Sequence, residues 1–444
     1  MKNTSLKTFA PVPKTRSSRL LNLGGLATKV ASNVLAEGTK RWIKGDAPPI
    51  SELVLNTKNL SEVADKLARM RGAAMKLGQL LSMDAGTLLP VELASVLAKL
   101  QSEGVMMPKT QLIDTLESEW GTDWSERFSY FSFEPIAAAS IGQVHRARSN
   151  TGDELAVKIQ FPGVAESIDS DIDNVLSLLK LSRLLPKTLN IDDLVVEARR
   201  QLKLEANYLA EAAHLSEFTN ELAKHQVFAD VVIPSQQLSL TTNKILTMSF
   251  VEGFSLESWL QKNPHDASRL ITTQLELFFT ELLNMNLMQT DPNPANYQVE
   301  PGMGKLALLD FGAVRRFDKG FVDNYKKAID QAIAQNRPAL LGALEELGFF
   351  AKGSDVANKD VVLDIFMLAA EPLRASGSYN FGSSNLAKRI QMLGMSVSKN
   401  PDAWHTPPAD VLFLHRKMAG LYLLAAKHNA QVDVAQLYHS FQSS

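Results

Sequence analysis

The spacing of apolar residues predicts a helical region near the start of the chain. Between residues 51 and 107 apolar side chains recur at helical intervals, beginning with Leu60, Val63 and Leu67, and this period is typical of amphipathic helices. One more helix is predicted over Lys109–Trp120.

The period changes near Phe128, where the sequence becomes strand-like. Short runs rich in Phe, Val and Ile are separated by the turn sequence Asn150-Thr-Gly-Asp153, which predicts a hairpin. Five strands are predicted, near residues 131–137, 143–149, 154–160, 231–238 and 243–250.

A long helix is predicted between the third and fourth strands. Asn190 is a suitable N-cap, and the helix would extend to about Lys224. Its apolar stripe would contain Leu194, Ala198, Leu202 and Leu209.

Beyond Gly253 the pattern is helical almost to the end of the chain. Only two short strands are predicted there, around Tyr297–Val299 and Lys305–Leu309. Strands with an inserted helix, followed by a helical half, form the outline of an α+β, bilobal protein-kinase-like fold. That outline alone does not identify an activity, because one fold hosts many functions.

Two acidic motifs in the helical half suggest phosphate chemistry. Asp291 lies five residues before Asn296, and the sequence Asp310-Phe-Gly312 follows after a predicted strand. Either motif alone occurs in ordinary turns, but their order and spacing are those of a kinase active site. Asn296 and Asp310 would then hold Mg²⁺, and Asp291 would occupy the position of the catalytic base.

A lysine within the third predicted strand completes this set. Lys158, in Ala156-Val-Lys158-Ile, would contact the α- and β-phosphates of ATP. Its expected charge partner is Glu211 on the long helix. By default a lysine in a strand and a glutamate on a helix both face solvent, so this pair rests on position.

The candidate phosphate loop precedes Lys158 and is poor in glycine. Compared with the pattern G-x-G-x-x-G-x-V, only its last glycine and its valine match. Alanine does not readily adopt positive φ, so the nucleotide geometry would differ from that of a standard kinase. The candidate nucleotide-binding residues are Ala137, Ala138, Ala139, Ser140, Gly142 and Val144.

Other kinase features are missing. Gln289-Thr290 stands where a His-Arg pair would precede the catalytic aspartate, and no Ala-Pro-Glu follows Gly312. A phosphorylatable activation loop is therefore not expected, and a platform for peptide substrates is disfavoured.

Composition restricts the classes of function further. The chain of 444 residues has no cysteine, which excludes disulfides and thiolate metal sites. Every long apolar stretch contains charge, as in Val411–Ala426, which includes Arg416 and Lys417, so no transmembrane helix is predicted. The basic N-terminal segment, residues 1–50, has few interleaved aromatic residues, Trp42 among them, so nucleic-acid binding is not supported.

Charge is concentrated in residues 1–50. This segment has nine basic and two acidic residues, a net charge of +7, whereas the whole chain carries −2. Three interpretations remain open: an amphipathic helix on an anionic membrane, a solvated tail leading into a docking helix, and a transit peptide, because residues 1–36 contain no acid.

Taken together, these motifs resemble the UbiB family of atypical kinase-like ATPases, which is linked to ubiquinone biosynthesis. The resemblance covers the chain from about Arg19 onward. Its most specific marks are Lys76-Leu-Gly-Gln79, the run Ala137–Ser140 with Ile141-Gly-Gln143, Val157-Lys-Ile-Gln-Phe-Pro-Gly163, Gln289-Thr-Asp-Pro292, Asp310-Phe-Gly-Ala313 and His415-Arg-Lys-Met418.

The resemblance implies roles for further residues. Lys76 and Gln79 would belong to a helical extension that covers the active site, and backbone groups of Ser249 and Val251 would meet adenine. A family motif Glu-x-Asp is altered here to Glu205-Ala-Asn207. This change removes a carboxylate that would act on the metal or on Lys76.

The family pattern also suggests four regions. These are a basic segment and linker (1–50), the Lys-x-Gly-Gln extension (51–127), a kinase-like N-lobe with inserted helices (128–253) and a largely helical C-lobe (254–444).

The leading hypothesis for function is a cytoplasmic ATPase-type enzyme that binds MgATP between lobes. The resemblance implies support of ubiquinone biosynthesis through a lipid-linked step at the inner membrane, with anionic lipids, quinone precursors and other ubiquinone-biosynthesis proteins as partners. The alternatives are a Ser/Thr protein kinase and a nucleotide-sensing, lipid-binding scaffold without turnover.

Overall fold

A computed structural model describes residue 72 and residues 106–181, 192–350, 359–397 and 408–442. The basic segment 1–50 and the helical pattern of residues 51–105 lie outside the described residues, except for Gly72. Lys76, Gln79 and the predicted cap Asn190 also lie outside them.

Contacts between residues divide the chain into two compact units. The first contains Met1–Ala212 and Gln236–Phe250, and the second contains Ala213–Ser235 and Val251–Ser444. Residues 213–235, which the sequence pattern assigned to the N-lobe, therefore group with the second unit. The cause is packing, because Leu215, Phe218 and Val231 share a core with Leu306 of the second unit.

The first unit is a sheet with helices around it. Its described elements are α1 (Lys109–Trp120), β1 (Phe128–Ala138), β2 (Gly142–Ser149), β3 (Glu154–Gln160), α2 (Val164–Leu181), α3 (Asp192–Glu205), the start of α4 (Tyr208–Leu222) and β5 (Ile245–Ser249). The strands form one antiparallel sheet in the order β1-β2-β3-β5. The predicted helix over Lys109–Trp120 and the predicted hairpin are confirmed.

One face of this sheet supports the core of the first unit. Val157 and Ile159 of β3 are buried together with Leu112 of α1 and Leu202 of α3. Lys158 lies between the two buried β3 residues, so strand alternation points it to the opposite face. The hydrophobic periodicity of β3 thus decides which face the lysine occupies.

The long helix predicted up to about Lys224 is interrupted. Helix α3 ends at Glu205 and α4 begins at Tyr208. The side chain of Asn207 accepts a hydrogen bond from the Ala210 amide at 3.0 Å, which caps α4. Leu209, expected on the buried stripe with Ala198 and Leu202, is instead 44% exposed, because the break changes the helical phase.

The second unit contains the rest of α4 and most of the remaining elements. These are β4 (Val231–Val232), β6 (Phe254–Ser255), α5 (Leu256–Lys262), α6 (Ala267–Phe279), a π-helical turn (Thr280–Met285), β7 (Leu287–Gln289), β8 (Tyr297–Val299), β9 (Leu306–Leu308), β10 (Val314–Arg316), α7 (Lys319–Ile333), α8 (Arg337–Glu346), α9 (Lys359–Ala369), α10 (Glu371–Arg374), β11 (Tyr379–Asn380), α11 (Phe381–Ser384), α12 (Leu386–Val397), α13 (Ala409–Lys427), β12 (Gln431–Val432) and α14 (Val434–Ser440).

A small sheet with the order β4-β9-β8-β6 lies in this unit. The strand predicted near 231–238 is shorter than expected, since β4 covers only Val231–Val232 and pairs in parallel with β9. Pro234 has no amide hydrogen and cannot continue a ladder. After Pro234 the chain returns to the first sheet, first at a bridge between Gln236 and Met248 and then as β5.

Helices α6, α7 and α13 enclose the apolar core of the second unit. Leu275 and Phe278 of α6 pack with Tyr325 of α7 and with Leu414 and Leu421 of α13. No helix among the described residues is long and apolar enough to cross a membrane.

His415 lies within this apolar core. Its ring centroid is 5.2 Å from that of Phe366, 5.8 Å from Tyr325 and 5.9 Å from Phe349. Its Nε2 is buried and has no hydrogen-bond partner among the described residues. Burial therefore lowers the pKa of His415 to about 4.

A lowered histidine pKa makes stability depend on pH. The unfolded chain takes up this proton near pH 6.5 and the folded chain only near pH 4, so stability present above pH 6.5 is lost as the pH falls toward 4. At pH 5 the loss from His415 would be about 2 kcal/mol. Because other groups also titrate between these pH values, the histidine is read from a difference. On going from pH 7 to pH 5, urea unfolding should show the wild type losing about 2 kcal/mol relative to His415→Phe. The control His265→Phe, at an exposed position, should behave like the wild type.

Candidate active site

The sheet of the first unit holds a buried ion pair. The Lys158 ammonium donates to both carboxylate oxygens of Glu211 at 2.7 and 2.9 Å, and its nitrogen lies 5.0 Å from the ring centroid of Tyr208. Lys158 and Glu211 are only 8% and 2% exposed. The pairing expected from the sequence is present, and its role toward ATP stays a prediction.

The candidate phosphate loop is a tight turn between β1 and β2. The Ala139 amide donates to the Gly142 carbonyl at 2.9 Å, which leaves Ser140 and Ile141 at the tip. Val144 lies opposite Lys158 across the β2–β3 ladder. The alanine-rich segment is therefore adjacent to the strand that carries the lysine.

Gly142 is required by a close approach of two backbones. A Cβ atom at this position would lie 2.3 Å from the carbonyl oxygen of Ile159 and 3.0 Å from the Tyr208 hydroxyl. The last glycine of the loop is thus explained by packing between β2 and β3. Ala137 and Ala139, which replace the other two glycines of the kinase pattern, need no positive φ here, since neither is among the residues with positive φ.

Two contacts hold the tip of the turn. The Ser140 hydroxyl donates to Glu205 at 2.7 Å. Gly72, which is helical and buried, approaches Ile141 so closely that a Cβ atom would lie 2.6 Å from its side chain. The N-terminal region therefore contacts this turn at residue 72, four residues before Lys76 in the chain.

Ser249 and Val251, expected to meet adenine, lie at the boundary of the two units. Ser249 ends β5 and pairs with Leu155, and the next amide, that of Phe250, donates to Glu154 at 2.8 Å. Val251 begins the second stretch of the second unit. Their contact with adenine stays a prediction.

In the second unit, Asp291 lies in a loop between β7 and β8. One of its carboxylate oxygens accepts a hydrogen bond from the Asn293 amide at 3.2 Å. The same oxygen lies 4.0 Å from a guanidinium nitrogen of Arg416. The Asp291 side chain is only 15% exposed.

The hairpin of β8 and β9 places Asn296 and Asp310 together. Tyr297 pairs with Leu308, and one step further the Leu309 amide donates to the Asn296 carbonyl at 3.0 Å. Asp310 is the next residue, so both candidate metal ligands lie at the same end of the hairpin. Sequence spacing alone left this proximity open, because the register depends on the loop that joins the strands.

The Asp310-Phe-Gly segment is anchored by its middle residue. Phe311 is 1% exposed, and its ring centroid lies 5.2 Å from that of Phe218 on α4. Asp310 accepts a hydrogen bond from the Gly312 amide at 3.0 Å. The buried Phe311 ring therefore anchors the backbone of this segment, and the hydrogen bond from the Gly312 amide fixes the Asp310 side chain in a tight turn.

The side-chain oxygens of Asn296 and Asp310 are suitable ligands for Mg²⁺ that is bound together with a nucleotide. Among the described residues no group of three or more His, Asp or Glu side chains could hold a metal ion. Mg²⁺ is usually held by one or two carboxylates together with phosphates and water, so Asp310 and Asn296 fit. The Asn296 side-chain nitrogen is also buried without a hydrogen-bond partner in the described part of the chain, and Asn amide orientations are interchangeable in such structures.

The sequence analysis singled out the motif His415-Arg-Lys-Met418 but gave its residues no role at the site, and it did not identify Glu281. Lys417 donates to Glu281 and to the Gln289 carbonyl. The available signal was the placement of Arg416 and Lys417 within the apolar stretch Val411–Ala426, which is unusual because buried charges need partners.

The sheet with its buried lysine–glutamate pair, followed by a helical unit carrying Asp-Phe-Gly, defines a protein-kinase-like protein. Residues 99–343 match the model of the ABC1 atypical kinase-like domain. This chain therefore belongs to the ABC1 family of atypical kinases, whose relatives include the UbiB proteins that the motifs resembled. The predicted fold class is confirmed by this match.

Relatives from several organisms match almost the whole chain. The "Atypical kinase COQ8, mitochondrial" of Saccharomyces cerevisiae is 36% identical over 98% of this chain and 86% of its own length. The "Atypical kinase COQ8B, mitochondrial" of Rattus norvegicus is 35% identical over 98% and 82%. The "Probable serine/threonine-protein kinase abkA" of Dictyostelium discoideum is 33% identical over 97% and 80%.

One solved structure supports the fold. The Mycobacterium tuberculosis protein Rv3197, in complex with erythromycin, is 26% identical and superposes with a TM-score of 0.61. The match covers 84% of this chain and 93% of that protein.

Removal of one member of the Lys158–Glu211 pair should destabilise the protein strongly. Lys158→Met removes the ammonium that contacts both oxygens of the buried Glu211 carboxylate, and we expect a loss of about 3–5 kcal/mol in the free energy of unfolding. The double variant Lys158→Met/Glu211→Leu should recover most of that loss, because a buried ion pair is often replaceable by apolar residues. Urea unfolding of the variants measures both. Equal stability of Lys158→Met and the wild type would contradict the buried pair.

The exposed pair Arg148–Glu154 offers a matched control. Its side chains are 53% and 30% exposed, and pairs of this kind contribute about 0–1 kcal/mol. Arg148→Met should therefore change the free energy of unfolding by no more than about 1 kcal/mol.

Proposed function

We propose that this protein is an atypical kinase-like ATPase that binds MgATP. Lys158, held by Glu211, would contact the α- and β-phosphates, and Asp291 would be the catalytic base. Asn296 and Asp310 would hold Mg²⁺, which neutralises charge on the phosphates.

The observation that carries this proposal is the β8–β9 hairpin. It brings Asn296 beside Asp310, although they are fourteen positions apart in the chain. The arrangement supplies one carboxylate and one amide oxygen, which are ligands that Mg²⁺ accepts. If Asp291–Asn296 and Asp310-Phe-Gly312 were two unrelated turns, nothing would require the β8–β9 register that brings Asn296 and Asp310 together.

Contacts around the nucleotide would come from the first unit and the adjoining segment. The turn Ala137–Val144 would lie over the phosphates, and backbone groups of Ser249 and Val251 would meet adenine. The hydrogen bond between Ser140 and Glu205 supports a turn with a defined shape, because it fixes the hydroxyl at the tip. Lys76 and Gln79 would cover the site from the N-terminal extension, and the contact of Gly72 with Ile141 supports that placement.

The physiological step would serve ubiquinone biosynthesis through a lipid-linked reaction. The family relationship supports this role, as does the basic segment 1–50, which would attract anionic lipids. A cytoplasmic protein at the inner membrane would then meet quinone precursors and other ubiquinone-biosynthesis proteins. Water is the simplest phosphoryl acceptor.

Nucleotide binding should raise thermal stability through the metal site. At 100 times Kd, MgATP would stabilise the folded protein by about 2.7 kcal/mol. Asp310→Asn should lose most of this gain, because it removes the charged ligand. Asp323→Asn, at an exposed position on α7, should keep it. Differential scanning calorimetry with and without MgATP makes the measurement; an unshifted wild type, or an Asp310→Asn protein that shifts as the wild type does, argues against the assigned metal site.

Phosphate release in the presence of membranes should distinguish the three candidate functions. We expect anionic liposomes and hydrophobic phenols to increase the rate of ATP hydrolysis, because hydrolysis would be coupled to a lipid-linked step. Transfer of labelled phosphate to protein substrates would instead indicate a Ser/Thr protein kinase. MgATP binding without phosphate release under any condition would indicate a scaffold. Liposomes of neutral lipid are the control.

A further inference from the structure

Helix α13 packs directly against the loop that carries Asp291. At Gly420 the two segments are so close that a Cβ atom would lie 3.0 Å from the side chain of Pro292. One turn earlier, the Lys417 ammonium donates to the backbone carbonyl of Gln289 at 2.8 Å, and Arg416 faces Asp291. Three positions of α13, Arg416, Lys417 and Gly420, thus meet this loop within about one helical turn.

Lys417 reaches the loop from a buried ion pair. Its partner is Glu281, in the π-helical turn after α6, and the two side chains are 7% and 0% exposed. Burial raises the pKa of Glu281 to about 7, opposed by Lys417, and burial lowers the pKa of Lys417. Burial thus shifts both pKa values toward the uncharged forms, which shows that holding charge at this buried place costs free energy. Apolar residues would stabilise such a core at least as well.

Gln289 connects Lys417 to Asp291, because it is hydrogen-bonded to both residues. Its side-chain amide donates to the Asp291 backbone carbonyl at 3.1 Å, and its side-chain oxygen accepts from the Tyr297 hydroxyl at 3.2 Å. Burial raises the pKa of Tyr297, so the hydroxyl keeps its proton. The next residue, Thr290, donates both its amide and its hydroxyl to the Ala313 carbonyl at 2.8 Å.

These contacts stand where a standard kinase has a His-Arg pair before its catalytic aspartate. Gln289-Thr290 supplies no cation from the loop. The cations come instead from α13, more than 120 residues further along the chain, as Lys417 at the Gln289 carbonyl and Arg416 beside the carboxylate.

We propose that Lys417, paired with Glu281, is a positioning residue that holds the Asp291 loop through the Gln289 carbonyl. This inference rests on the proposed function, in which Asp291 is the catalytic base. The buried pair is then retained for the geometry of the loop, and its contribution to stability is secondary.

The test replaces the pair by apolar residues that keep the core filled. Lys417→Met/Glu281→Leu removes the donor to Gln289 without leaving an unpaired charge. The matched control is Lys427→Met/Glu257→Leu, which applies the same changes to an exposed pair whose lysine lies on the same helix as Lys417, with side chains 57% and 42% exposed. Urea unfolding of the full chain establishes that both variants are folded.

Amide hydrogen exchange measured by mass spectrometry reads the loop without depending on activity. In Lys417→Met/Glu281→Leu we expect amides of residues 289–297 to exchange at least about tenfold faster, while those of α7 (Lys319–Ile333) exchange at the wild-type rate. The control variant should match the wild type in both segments. Unchanged exchange in residues 289–297 of a folded Lys417→Met/Glu281→Leu protein overturns the proposal.

Kinetics then separate positioning from stability. We expect kcat for ATP hydrolysis to fall by about 10- to 100-fold, because small displacements of a reacting group have such effects, with KM for ATP within about threefold of the wild type. A stable variant with faster loop exchange and wild-type kcat also overturns the proposal. If the double variant does not fold, Lys417→Met/Glu281→Gln, which removes the same donor to Gln289 and leaves a neutral polar side chain at position 281, is measured in its place with the same expected outcomes.

Failure of the proposed function gives a different result. Asp291→Asn in the otherwise wild-type chain should abolish hydrolysis. If it retains the wild-type rate, Asp291 is not the base, whereas the exchange rates of residues 289–297 still decide whether Lys417 holds the loop.

Discussion

The buried ion pair between Lys158 and Glu211 is the constraint on which the first unit depends. Two charges removed from water are tolerated only if each satisfies the other, and the bidentate contact at 2.7 and 2.9 Å does so. The pair ties β3 to the start of α4. Tyr208 lies beside the Lys158 ammonium. Its hydroxyl also limits the space at position 142, so that only glycine fits there.

The second unit uses the same principle at a different place. Lys417 and Glu281 are buried together, and the lysine donates a further hydrogen bond to the Gln289 carbonyl. In both units a lysine inside the protein is paired with a glutamate from a different element, and the pair lies beside a segment with candidate catalytic residues. Such charges are costly in a core, so their retention is more readily explained by geometry than by stability.

The altered Glu-x-Asp motif has a local explanation. Asn207 caps α4 through the Ala210 amide, a position where Asn and Asp are about equally suitable. The exchange of Asp for Asn therefore preserves the helix start while it removes a charge. Glu205, the retained acid of the motif, accepts a hydrogen bond from Ser140 of the turn.

Local pattern was sufficient for α1, for the hairpin of the first sheet and for the short strand Tyr297–Val299, because each has a period or turn chemistry of its own. The order Asp291, Asn296, Asp310 and the lysine of β3 likewise identified the kinase-like class from the chain alone. The break at Asn207 was not evident because the apolar pattern continues across it, from Leu202 to Leu209. The transfer of Val231 to a different sheet was not evident because tertiary packing decides it. The neighbourhood of Asn296 and Asp310 needed the β8–β9 register, and the contact of Lys417 with Gln289 joins residues 128 positions apart. Sequence determines which groups can carry charge and where helices and strands tend to form. Only the folded chain decides which charges are brought out of water together, because burial and pairing are properties of the whole core.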